Sequence, residues 1–314
     1  MNAEQLFIKT LRDCGALVGA GDDGVLLALA HLRSQPLDSR ANSMKNTRFT
    51  QRFAHISHPH KCFVIAADGF CEHIHFKREW LSLEQIARKA MLVNISDIVA
   101  MNAKPMYALL SITLPTRSGF SLSQVRTLAQ SLAQSAKAHG VRFIGGDTMS
   151  GRDLALHITM IGVLRGKPLL RKGLRVGDLV YCTGRVGGSL YALSHLLKGG
   201  VLADSRRFSR FIAPRLRGEF IHTIAPFAHV GLDVSDGVLS ELHTLAKCNH
   251  LRFHGLKKSR IHAYKSGEEY EVLFAIDPRD KVRLARLARR ARVELELVGR
   301  AGRVGKIPKP KTWH

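Results

Sequence analysis

Six aspartates of this sequence lie between small and apolar residues, the setting in which an acidic group can do chemistry. Asp23 ends the pair in Gly19-Ala-Gly-Asp-Asp-Gly24, and Asp68 follows the apolar run Phe63 to Ala67 and precedes Gly69. Asp97 closes Asn94-Ile-Ser-Asp97, Asp147 follows Phe143-Ile-Gly-Gly146, and Asp233 and Asp236 share Gly231-Leu-Asp-Val-Ser-Asp-Gly237. A carboxylate beside apolar segments must find a hydrogen-bond donor or a cation, because desolvating it alone is costly. Any one of them could be local scaffolding, Asp233 or Asp236 as a helix cap and Asp22 in a turn. Together they offer hard oxygen ligands of the kind that hold Mg²⁺ on phosphates.

The common phosphate motifs do not account for them. No G-x-x-x-x-G-K-[ST] is present, which argues against a P-loop kinase. Gly19, Gly21 and Gly24 match G-x-G-x-x-G, but Leu17-Val18 is a poor preceding strand, and Asp22 and Asp23 would repel a pyrophosphate unless a metal intervened. His73 and His75 follow Asp68 closely, and strand alternation would set both rings on one side. A metal pair and a polar contact to substrate both fit that placement. His157 and His243 read as packing residues.

Alternating strands and helices are expected to position these groups. Cys62 to Ala67 reads as a buried strand, and Leu83 to Met101 as a helix, with Ile86, Ala90, Val93, Ile98 and Met101 at largely helical spacing. Pro105 punctuates before a strand from Met106 to Leu114, and a helix runs from Ser121 to His139 with Gly140 as its stop. Strands follow at 141–144 and 154–164. After a Gly- and Pro-interrupted basic stretch at 165–177, strands are expected at 178–183, 272–276 and 293–298, and helices at 189–197, 236–248 and 279–292. The alternation predicts a mixed α/β protein with domains at 1–165 and 166–314. The polar, basic segment 31–60 reads as a long surface loop, and 302–314 as an irregular tail ending near Trp313.

The 314 residues and 45% apolar content are those of a folded globular chain. No run is long and apolar enough to span a membrane, and the N-terminus lacks the pattern of a secretory signal. Five cysteines without a C-x-x-C pair argue against a disulfide framework and a zinc ribbon, and point to a cytoplasmic protein. Forty-eight Lys and Arg against 25 Asp and Glu give a net charge of +23, which attracts anions. The basic residues are spread along the chain without a nucleic-acid-binding motif, so sequence-directed nucleic-acid binding is not the expectation.

In order, several segments resemble the thiamine-monophosphate kinase branch of the aminoimidazole-ribonucleotide-synthetase-like superfamily. They are Gly21-Asp-Asp-Gly-Val-Leu-Leu27, Ala67-Asp-Gly-Phe70 with His75-Phe76, and Val93-Asn-Ile-Ser-Asp-Ile-Val-Ala-Met101. Ile144-Gly-Gly-Asp-Thr148, Leu170-Arg-Lys-Gly173, Asp233-Val-Ser-Asp-Gly237 and Ser266-Gly-Glu-Glu-Tyr-Glu271 continue the series. The resemblance implies a two-domain PurM-like architecture of mixed sheets, the N-terminal sheet pairing across a homodimer. It further implies transfer of the γ-phosphate of ATP to thiamine monophosphate with Mg²⁺. By position, Asp23, Asp68, Asp97, Asp147, Asp233 and Asp236 would hold the metal. Asp147, Arg171 and Asp236 would act in catalysis, and Gly146 and Ser235 would join Asp23, Asp147 and Arg171 at the nucleotide. His75, Glu268 and Trp313 would meet the substrate. The chain departs from the family pattern at Ala66-Ala67, where Ser-Thr is usual, and at Glu269, where Asp is usual. The alternatives are another ATP-using enzyme of the superfamily, or a catalytically weakened nucleotide- or nucleic-acid-binding homologue.

Overall fold

The computed structural model describes residues 25–28, 62–116, 119–202 and 208–309, with the backbone alone at 25–28. Asp23, Trp313 and the expected loop at 31–60 lie outside the described residues.

The first half is organised by one helix. In α1 (Leu83–Ala100), Ser82 caps the N-terminus in a reciprocal capping box with Gln85, as the Ser-Leu-Glu-Gln order favours. Its apolar residues are not confined to one stripe: Ile86, Ala90, Met91, Val93, Ile95 and Ile98 are all buried. A helix buried around its circumference must have neighbours on more than one side. It lies on strands β2 (Cys62–Cys71), β3 (Ala103–Leu114) and β5 (Ala155–Leu164), and also reaches the second half of the chain.

With β1 (Val25–Ala28) and β4 (Arg142–Ser150), these strands form a five-stranded sheet in the order β1-β2-β5-β3-β4. Its pairings are antiparallel except β3 with β4, whose parallel crossover is supplied by α2 (Leu122–Ala138). Residues of alternate parity divide between two environments. Val64, Ala66, Leu156, Ile158 and Met160 join the core beneath α1 and α2. Phe63, Ile65, Tyr107, Ile161 and Val163 on the other face are only half-buried, while Leu109 and Ile144 are exposed. Pro105 lies inside β3 rather than before it; a register shift between Pro105 and Tyr107 accommodates the missing N–H.

Residues 165–178 form no strand or helix and lead to the second sheet. That sheet holds β6 (Leu179–Thr183), β7 (Ala228–Asp233), β8 (Arg252–His254), β9 (Val272–Ile276) and β10 (Leu295–Gly302), in the all-antiparallel order β7-β9-β6-β10-β8. The remaining helices are α3 (Gly188–Leu197), α4 (Ser209–Ile212), α5 (Gly218–Ile224), α6 (Val238–Asn249) and α7 (Lys281–Ala291). One face packs on Leu242 and Leu245 of α6, and the other on Phe220 and Ile224 of α5 and Leu284 of α7. β9 is buried at every position, as expected of an inner strand covered on both faces. None of the described helices is long and apolar enough to cross a membrane.

Candidate active site

The site begins where β2 runs out of core. Asp68 keeps the parity of Val64 and Ala66 but lies beyond the helix cover, and its Oδ1 accepts from Gly69 N at 2.8 Å. The carboxyl is raised above its ordinary range by partial desolvation and by the nearby charges of Asp236 and Glu268; Gly69 N and His75 act in the opposite direction. A group on the first sheet thus faces two acids from the second half.

The other half of this arrangement is built at the end of β7. Asp233 is 2% exposed, and its Oδ2 accepts from Ser96 Oγ of α1 at 2.6 Å. Asp97, the next residue on α1, is half-buried. Beyond β7 the chain turns through Ser235 and Asp236 into α6, whose cap is Gly237 without a side-chain bond. Asp236 is therefore not the helix cap that its position allowed. Its backbone N–H instead donates to Glu241 Oε1 at 3.3 Å. Gly237, at φ +96°, a conformation that favours glycine, passes close to the carbonyls of Tyr264 and Ser266, where a β-carbon would be tightly crowded.

The loop before β9 closes the group. Glu268 N donates to Ser235 O at 2.6 Å, and Tyr270 N to Val234 O at 2.9 Å. Tyr270 is buried, and its hydroxyl is pushed well above the usual range, first by burial and then by the charges of Glu268, Asp68, Asp233 and Asp97. Asp68, Asp97, Asp233 and Glu268 are therefore within electrostatic reach of Tyr270, and Asp236 of Asp68; β2, α1, β7 and two loops contribute them. Glu268 Oε2 has an ion pair with Lys89 Nζ at 3.0 Å. In a chain with nearly twice as many basic as acidic residues, these carboxylates gather oxygen donors of the type that Mg²⁺ takes.

The other expected residues take varied places. His75 Nδ1 accepts from Cys71 N at 3.1 Å, which puts the proton of the neutral ring on Nε2. His73 and His75 do not alternate along a strand: residues 73–75 form a turn, with His73 at φ +66°, and His73 Nε2 lies 3.5 Å from Asp153 Oδ1. Arg171 is half-buried in the connection between the sheets, its carbonyl accepting from Asn249 Nδ2 at 2.8 Å. Leu170 O beside it accepts from Gly231 N of β7, two residues before Asp233.

Gly146 and Asp147 are on the edge strand. A β-carbon on Gly146, at φ +149°, would collide with the Leu110 carbonyl, so glycine permits the parallel approach of β3 and β4. Asp147 pairs in register with Ser111, and its Oδ1 accepts from Thr148 N at 2.8 Å. Three strand spacings separate β4 from β2, ~14 Å at ~4.8 Å each. Asp147 is thus set apart from the cluster around Tyr270.

Both departures from the family pattern have a structural setting. Ala66 belongs to the apolar core and Ala67 is exposed on the sheet. Glu269 is 2% exposed, and its Oε1 accepts from Gly187 N, Ser189 N and Ser266 Oγ at 2.7, 3.0 and 2.6 Å. It serves the N-terminus of α3, where orphan N–H groups and the helix dipole favour an anion. Burial raises its pKa, opposed by those hydrogen bonds. Lys89, Ser96, Tyr270 and Glu269 were not read as site residues in the sequence. Lys89 alone left a signal, a charge in helical phase with Ile86 and Val93.

A mixed sheet and an antiparallel sheet joined through one buried helix, with acids from both halves near one another, define an AIR synthase-related fold. The profile of the AIR synthase related protein N-terminal domain matches residues 52–164. The chain belongs to the thiamine-monophosphate kinase family and is a kinase. The thiamine-monophosphate kinase of Haemophilus influenzae is 32% identical over 257 residues, covering 76% of this chain and 77% of that protein. The crystal structure of thiamine-monophosphate kinase from Stenotrophomonas maltophilia matches with a TM-score of 0.69 at 27% identity, covering 96% and 95% of the two chains. AaThiL complexed with AMPPCP and TMP shares the fold, with a TM-score of 0.74 at 20% identity over 100% and 98% of the chains.

Proposed function

We propose that the protein transfers the γ-phosphate of ATP to thiamine monophosphate, yielding thiamine diphosphate, in the cleft between the two sheets. The observation that carries this reading is the meeting of Asp68 and Asp97 with Asp233, Asp236 and Glu268. Such a concentration of hard oxygen donors is well suited to cation-bearing phosphates.

Asp68, Asp97, Asp233 and Asp236 would hold Mg²⁺, joined by Asp23 and Asp147. The metal would supply charge neutralisation on the crowded phosphates. Asp147 on its edge strand would address a different part of a long polyphosphate ligand from Asp68. Ser235 and Gly146 would line the nucleotide site, and Arg171 would give a charge-assisted contact to a phosphate oxygen. His75 Nε2–H is a donor for the substrate, and Glu268 an anionic contact for its cationic ring, with Trp313 as an aromatic wall. The acceptor is itself an anionic phosphate, so positioning rather than a strong base is what these side chains must provide. The overall charge of +23 draws both anionic substrates inward.

The same reading divides the chain at 165/166 and makes it a homodimer through the open face of the first sheet. It is tested by following ADP and thiamine diphosphate formation with each substrate and Mg²⁺ omitted in turn. Product is expected only with all three, and Asp233→Asn should lower kcat at least ~10²-fold. Tight ATP binding with no thiamine diphosphate formed would overturn the assignment.

A further inference from the structure

We propose that Lys89 is a positioning residue that fixes Glu268 for the phosphate-accepting substrate; this rests on the functional reading above. A lysine in the middle of a buried helix needs a reason, because an unpaired ammonium there is strongly disfavoured. The Lys89 side chain is 0% exposed, and its Nζ has three partners from three separate elements. Glu268 Oε2 of the loop before β9 lies at 3.0 Å, the Phe211 ring of α4 at 3.9 Å and the Phe70 ring of β2 at 5.7 Å. Aromatic faces stabilise the cation without taking its hydrogen bonds, and so leave its donors to the carboxylate.

Glu268 depends on that partner more than an ordinary surface acid would. Its backbone is left-handed, at φ +54°, and its side chain is 26% exposed, at the edge of the cleft. Asp68 and Glu268 are close enough for their charges to interact, so repulsion would otherwise swing the long glutamate outward. Lys89 holds one oxygen, which limits where the other can be, and it sets a positive charge beside the clustered acids. A carboxylate held in this way suits the cationic thiazolium ring of the acceptor. The ammonium itself is screened by two phenyl rings and a carboxylate, so its action on substrate runs through Glu268.

The test is steady-state kinetics of wild type, Lys89→Met, Glu268→Gln and the double variant, with ATP-analogue binding and thermal unfolding measured on each. Lys89→Met should raise the KM for thiamine monophosphate about 10-fold or more, the size expected for one charged hydrogen bond. Its kcat should stay within about 3-fold and its affinity for the ATP analogue should be unchanged, the signature of lost substrate binding rather than lost chemistry. Glu268→Gln, altered at a partly exposed side chain, should show the same split even where Lys89→Met folds poorly. The double variant should be no worse than the worse single one, and Lys89→Arg should recover part of the loss. A lowered melting temperature with wild-type KM would make Lys89 a structural cross-link only and overturn the proposal. Multiplying KM effects in the double variant would overturn it equally. An inactive wild type would remove the functional reading, and this inference with it, whereas an active wild type beside an unmoved Lys89→Met removes this inference alone.

Discussion

The two sheets have the same number of described strands but are finished differently. The second is covered on both faces, by α6 on one and by α5 and α7 on the other, and its inner strand β9 is buried throughout. Buried ion pairs tie it further: Arg217 meets both oxygens of Glu271 at 2.8 and 2.7 Å, and Thr183 Oγ1 donates to Glu271 Oε2 at 2.6 Å. The first sheet is covered on one face by α1 and α2, while the other carries Phe63, Ile65, Leu109, Ile144 and Ile161 with no described helix over them. Among the described residues, one sheet is therefore covered on both faces, and the other presents partly exposed apolar side chains on one of its faces.

The contrast can be broken most forcefully in the second sheet. Phe274 is fully buried between Tyr181 and Phe220, so Phe274→Ala should destabilise by about 3–5 kcal/mol. Ile161→Ala, on the half-buried face of the first sheet, should cost about 1 kcal/mol or less, both read by chemical denaturation at low protein concentration. Equal losses would mean that the two faces are equally enclosed. Next in size is Ile161→Glu, which places a charge in the centre of the open plate. It should convert a dimer to a monomer in sedimentation while leaving the fold intact; an unchanged mass would remove that face from the interface.

The smallest effect is one of pH, and it belongs to the second sheet alone. Burial acts to raise the Glu296 carboxyl, but hydrogen bonds from Arg260 and Tyr264 outweigh it and hold the group below its usual value. A depressed carboxylate contributes stability above its unfolded pKa of ~4.3, and that contribution is lost as pH falls through the lower folded value. The stability difference between wild type and Arg260→Met should accordingly be present at about pH 7 and shrink toward about pH 3. A difference independent of pH would make the Arg260 contact one of packing only.

Much of this architecture is legible in the sequence, for local reasons. Helix α1 announces itself through its apolar spacing and its Ser82 cap, and β9 from Val272 to Ile276 is a pure apolar run between polar neighbours. β7 was not read, although it carries Asp233, because its Ala-His-Val-Gly order alternates weakly and owes its place to pairing with β9. The strand at Val141 extends through Gly145 and Gly146 to Ser150; glycines that usually end a strand here permit close contact with β3. The helices α4 and α5 are too short to show a period. At the site, spacing and flanking glycines single out the aspartates; Asp68, Asp97 and Asp233 lie within electrostatic reach of Tyr270, and Asp236 within that of Asp68. No local pattern could pair Lys89 with Glu268 or Ser96 with Asp233, since 179 and 137 positions separate the partners.

Helix α1 also acts as a ruler. Lys89 and Ser96 are seven residues apart, about 10 Å along the axis and nearly in phase after two turns. Each reaches a different segment of the second half, Lys89 the loop at Glu268 and Ser96 the end of β7 at Asp233. The distance between those two points is therefore measured off by the pitch of a helix in the other half. The length of that stretch is fixed: one residue added between the two marks would rotate one of them by about 100° and put it out of step with its partner.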